Sequence, residues 1–87
     1  MHPVKELLIK RNGLYCMLCG KKCEYHDINW HHIKPKYVSI RKGEKVDNSY
    51  ENGSLLCVDC HSYVHTFTWK DDEYHDLMRV IQSHKKP

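Results

Sequence analysis

The sequence predicts a small α+β domain stapled by a metal, and three observations carry that reading. Two Cys-x-x-Cys pairs, Cys16 with Cys19 and Cys57 with Cys60, stand in a chain of 87 residues. Two short apolar runs, around residues 28–33 and 54–57, have the length of strands. Helical spacing marks both ends of the chain. A chain this short buries little interior, so a metal is the natural staple. The expectation is a single domain over residues 1–87.

The elements follow in order. Residues 3–12 read as a helix: Pro3 suits a first turn, Val4, Leu7, Leu8 and Arg11 keep helical spacing, and Gly13 is a stop. Next comes "CMLCGKKC", the shape of a metal knuckle in which a tight turn aims two thiolates at one ion. Residues 28–33 read as a strand that ends before Pro35, and residues 34–53 as a polar, Gly-containing loop. "SLLC" is the second strand. "VDCHSYVHTF" is a helix entered through the second Cys-x-x-Cys. "TWKD", from Thr68 to Asp71, fits a capping box for a final helix over about 70–84. That helix should bury Tyr74, Leu77, Met78 and Ile81, a stripe read as core with no functional role.

Four cysteines at knuckle spacing match a closed tetrahedral zinc site; buried free thiols or redox pairs are the alternative. Cys23 is the odd thiol, read as a small buried hydrophobe rather than a competing ligand. The formal charge is +3. Lys34, Lys36, Arg41, Lys42 and Lys45 cluster against a single Glu44 in residues 34–45. A solvated loop would look the same, but its place directly after paired histidines favours contact with phosphate. No apolar run is long enough to span a membrane. The N-terminal stretch "MHPVKELLIKRNG" lacks the apolar centre of a secretory signal. A cytoplasmic location is therefore expected, where thiols stay reduced and paired cysteines read as metal ligands.

The histidines go further than the cysteines. His31 and His32 are adjacent on a strand, so their side chains should leave on opposite faces. His61 and His65 lie four apart on a helix, on one face. A strand histidine and the helical pair can converge on an ion and leave positions open for water or substrate. His2, His26, His75 and His84 have no partner by spacing and read as surface residues; Trp30 reads as packing.

"WHHIKP" (30–35), "ENGSLLC" (51–57) and "CHSYVH" (60–65) together resemble the HNH endonuclease family, whose core is a ββα-metal fold. The resemblance covers about residues 16–65, with the terminal helices outside it. The flanking cysteine pairs resemble the zinc-stapled branch common in phage and bacterial proteins. The family letters fall on His32, Asn52 and His61. The resemblance implies that His31 ligates a catalytic metal, that His32 is the general base, and that Asn52 braces the loop and helps orient that base. It makes His61 a metal ligand. His65, one turn on, resembles the third ligand of the three-histidine sites in colicin-type nucleases. A histidine in place of the commoner aspartate at position 31 leaves the ion open among magnesium, manganese, nickel and zinc.

The implied reaction is hydrolysis of DNA phosphodiester bonds, double-stranded DNA being the expected partner. Water deprotonated by His32 attacks phosphorus while a divalent metal stabilises the leaving 3′-oxygen. A nearby cation disfavours imidazolium, which should keep His32 neutral. Lys34, Lys36, Arg41 and Lys42 are the candidate DNA contacts, with Arg79 a further phosphate candidate. The rival reading is a non-catalytic zinc module that binds nucleic acid or protein. It needs the cysteines but not the histidines and Asn52 together. Phage packaging machinery, restriction and homing are all compatible roles, and the oligomeric state is open.

Overall fold

The structure is a computed structural model, and it describes residues 3–86. Helix α1 spans Pro3–Asn12, strand β1 Ile28–His32, helix α2 Lys36–Arg41, strand β2 Gly53–Cys57, helix α3 Val58–Val64 and helix α4 Asp72–Ser83. The two strands pair antiparallel, with His31 opposite Ser54 and His32 opposite Gly53. Helices α1 and α3 lie against this ribbon. A two-stranded ribbon is marginal alone and needs such cover. Every residue of β2 is buried, so its side chains fill the space on both faces.

One hydrophobic core joins the elements. Leu8 of α1, Ile28, Leu55 and Leu56 of the ribbon, Val64 of α3, and Tyr74, Met78 and Ile81 of α4 meet in it. The predicted α4 stripe is present, with Leu77 half-buried at its margin. Helix α1 turns Val4 and Leu8 of the predicted spacing inward, but not Arg11. Leu8 is buried with Val4 and Ile9 beside it, while Arg11 is exposed and stacks over the Tyr50 ring at 4.7 Å.

The knuckle is a tight turn at Cys16–Gly20. Gly20 has φ +80°, a conformation that L side chains rarely adopt. It lets the Gly20 N–H reach back to the Cys16 carbonyl at 3.0 Å. The Met17 N–H donates to the Leu55 carbonyl at 2.8 Å and ties the knuckle to β2.

Two expectations need correction. Residues 34–53 are not a plain loop, because α2 and a 3-10 turn at Tyr50–Asn52 lie within them. Pro35 presets the first turn, and Val38 and Ser39 are buried while Lys36, Tyr37, Ile40 and Arg41 face solvent. Gly43, at φ +70°, closes α2: its N–H bonds the Ile40 carbonyl while the Glu44 N–H bonds Ser39. Six residues with one buried edge were too short to show a period.

The second correction concerns α4. It starts at Asp72, with Asp71 rather than Thr68 at its N-cap. The Asp71 carboxylate still accepts from the Thr68 N–H at 2.7 Å, so half of the predicted box forms, on the preceding turn.

Candidate functional site

Among the described residues, two groups of side chains could hold a metal ion. The first is Cys16, Cys19, Cys57 and Cys60, whose sulfurs all lie within 4.8 Å of one another. Cys19 Sγ and Cys57 Sγ are 3.9 Å apart. A tetrahedron with zinc–sulfur bonds of about 2.3 Å has edges of about 3.8 Å. The four sulfurs could therefore hold a structural zinc, and they match its preferred donor set. Backbone N–H groups already face them. Cys16 Sγ accepts from Leu18 and Cys19, and Cys57 Sγ accepts from Cys60. Burial pushes the Cys16 thiol up, but hydrogen bonds from the backbone of Cys19, Cys57 and Leu18 bring it down to about 7. Cys23 is buried in the core outside this group, and its S–H points to the Lys21 carbonyl at 3.5 Å.

The second group is His31, His61 and His65, with one ring nitrogen of each within 4.8 Å of the others. His31 comes from β1; the other two come from α3 and its C-cap. Cys57 ends β2 and caps α3, its sulfur accepting the Cys60 N–H, so the helix is fixed at its start. The His65 N–H bonds the His61 carbonyl at 3.1 Å, which keeps the two imidazoles one turn apart. Their Nε2 atoms are 2.9 Å apart. Three imidazole nitrogens gathered this closely suit a divalent transition metal. Burial, and then the neighbouring His61 and His65, lower the His31 pKa to about 3. Burial likewise lowers that of His61. Both are thus neutral, as ligands must be, at neutral pH.

Strand alternation holds at the paired histidines. Trp30 and His32 share a face, their ring centres 4.6 Å apart, while His31 leaves on the other. Yet His31 and His32 line one open cleft of about 430 Å³, which wraps the edge of β1. Gly53, opposite His32, lets Leu8 and Trp30 pack close against β2: a Cβ on it would stand 3.0 Å from Leu8 Cδ1 and 3.1 Å from Trp30 Nε1.

Two residues given no role by the sequence turn out to hold these rings. His32 Nε2 lies 2.7 Å from Asn48 Oδ1. An amide oxygen only accepts, so Nε2 carries the proton and Nδ1 is the bare nitrogen. Tyr74, read from sequence as core, gives its one hydroxyl proton to the Ile33 carbonyl at 2.7 Å. Its oxygen, 3.2 Å from His31 Nε2, therefore accepts from that nitrogen. This leaves His31 Nδ1 as the nitrogen without a proton.

The Asn52 side chain makes its hydrogen bonds to Lys34 and Asp47 and not to His32. It accepts from the Lys34 N–H at 2.8 Å and donates to the Asp47 carbonyl at 2.9 Å, so it clips the two arms of the loop that carries Asn48. Of the basic candidates, Lys36 lines the imidazole cleft, while Arg41 and Lys42 line an adjoining groove. Lys34 pairs with Glu44 at 3.4 Å, and Arg79 pairs with Asp76. His75 and His84, expected at the surface without partners, bond the Trp69 and Met17 carbonyls. His26 is exposed beside Asp27, and His2 lies outside the described residues.

No helix among the described residues is long and apolar enough to cross a membrane. No curated protein and no solved structure matches the chain. A family model for HNH endonucleases matches residues 16–67, a stretch that includes both cysteine pairs, the paired histidines, Asn52 and the α3 histidines. That match spans more than half of the sequence, and its family is one of nucleases that act on DNA. The chain belongs to the HNH endonuclease family.

Proposed function

We propose that this protein is a divalent-metal-dependent endonuclease that hydrolyses DNA phosphodiester bonds, with His32 as general base and His31, His61 and His65 as the ligands of the catalytic metal. The observation that carries the reading is the meeting of two chemistries in one cleft. Three imidazoles converge there, and a fourth, His32, stands beside them with its Nδ1 bare. A non-catalytic zinc module would need only the cysteines.

His32 takes a proton from water at Nδ1, while Asn48 holds the other nitrogen and stabilises the imidazolium that forms. Asn52 keeps Asn48 in reach by clipping the loop. Lys36 at the mouth of the cleft draws in the phosphate. When bound, a divalent ion supplies Lewis-acid stabilisation of the charge that develops on the phosphate and the leaving oxygen.

The test is cleavage of supercoiled plasmid with magnesium, manganese, nickel or zinc, paired with calorimetric titration of the metal. His31→Ala should weaken metal binding, and excess metal should restore part of the cleavage. His32→Ala should bind metal normally and lose roughly 100- to 10,000-fold in rate, without rescue by metal. Swapped behaviour would reverse the two roles. Wild-type cleavage by both variants would refute the mechanism.

A further inference from the structure

We propose that the groove beside the imidazole cleft is a stacking subsite for an unpaired nucleotide next to the scissile phosphate. The proposal rests on the nuclease reading above and adds to it the state of the strand that the site takes. The groove has a volume of about 560 Å³. It continues directly from the cleft, since Tyr37, His65 and Phe67 line both. Rings of Tyr37, Phe67 and Trp69 wall it, Arg41, Lys42 and Lys70 add three cations, and no carboxylate lines it.

The rings are held by their neighbours, so the groove is already formed. The Trp69 N–H donates to Tyr37 Oη at 2.9 Å, which ties α2 to the turn before α4. The Trp69 ring packs edge-on against His75 at 4.6 Å and Tyr74 at 5.9 Å. Arg41 lies over the Tyr37 ring at 5.4 Å.

Aromatic faces interleaved with cations are what a single nucleic-acid strand needs. The base stacks on a ring and the flanking phosphates meet the cations. A duplex base has both faces covered by its neighbours and cannot offer one to Tyr37 or Trp69. An acidic peptide would satisfy the cations but leave the rings without a stacking partner. A strand threaded through the cleft therefore presents its adjacent nucleotide to this groove, provided that nucleotide is unpaired.

The experiment measures binding by fluorescence anisotropy on the full chain carrying His32→Ala, so that no probe is cut. The probes are a short oligothymidine and an abasic strand with the same number of phosphates. Oligothymidine should bind roughly tenfold tighter, the scale of one stacked base. Trp69→Leu should erase that difference and leave the abasic strand unchanged. Tyr37→Leu, on an exposed ring, should do the same if Trp69→Leu fails to fold. Lys70→Gln should weaken both strands alike and flatten their salt dependence.

Equal affinity for the two strands in the unsubstituted groove would overturn the proposal, as would displacement of oligothymidine by an equal charge of polyglutamate. Plasmid cleavage without a base preference would sink this proposal alone. A base preference without metal-dependent cleavage would sink the nuclease reading and leave the groove standing.

Discussion

Replacing Tyr74 by phenylalanine removes a single oxygen and keeps the ring. That oxygen joins two groups on β1 and its exit. It donates to the Ile33 carbonyl at 2.7 Å and accepts from His31 Nε2 at 3.2 Å, in a side chain only 2% exposed. Its loss strands a buried carbonyl and a ring N–H, a cost of about 1–3 kcal/mol in stability. The domain total is of order 5–15 kcal/mol, so the variant should fold but unfold at lower urea.

The second effect is on the metal. Without Tyr74 to hold the Nε2 proton, His31 is free to switch tautomer and turn away from His61 and His65. Losing a partner of this kind typically weakens metal affinity about 10- to 100-fold. Calorimetric titration of nickel or manganese into wild type and Tyr74→Phe reads this directly. A second cycle in the His31→Ala background isolates the route, because there the Tyr74 change should cost no further metal affinity. If Tyr74→Phe loses stability and binds metal like the wild type, the hydroxyl only braces the backbone and the tautomer reasoning fails.

Cys57→Ser should leave the chain unfolded or insoluble, because zinc contributes about 10–16 kcal/mol in small zinc peptides; a folded variant and a wild type without bound zinc by elemental analysis would refute the staple. His31 titrates at about 3 in the folded chain against the usual 6.5, so the unfolded chain binds the proton more readily. The stability that His31 confers is thus full above pH 6.5 and lost as pH falls toward 3, about 2 kcal/mol of it by pH 5. Urea unfolding of wild type and His31→Gln without added divalent metal should show that extra acid sensitivity in the wild type alone; parallel pH slopes would exclude it. Neutralising Lys36, Arg41 and Lys42 together should weaken binding to all DNA sequences alike and reduce its salt dependence, whereas an unchanged slope would make these charges a solvated face.

What the sequence revealed was local. Cys-x-x-Cys spacing fixes a knuckle, and an i, i+4 histidine pair fixes a helical face. Both signals sit within a few residues and need no knowledge of tertiary packing. Asn48 and Tyr74 reach their histidines across 16 and 43 residues, and only the packed fold brings them there. Asn48 gave no signal at all. Tyr74 gave a faint one, because a tyrosine in an otherwise apolar buried stripe has a hydroxyl that must find a partner. Helix α2 was hidden by its brevity, and its aromatic Tyr37 acquires meaning only beside Phe67 and Trp69, which follow α3 in the chain.

Cys60 and His61 are covalent neighbours in α3, yet each belongs to a different ligand group. A helix of seven residues is too short to persist unaided in water. An ion held by the four sulfurs would anchor the first turn of that helix and thereby set the imidazole pair one turn later. The two ions would then differ in exchangeability. The sulfur-held one would load as the chain folds and leave as it unfolds, while the imidazole-held one would come and go over a standing scaffold. Graded chelation would follow that hierarchy: a mild chelator should silence the protein reversibly, and a strong one should dismantle it.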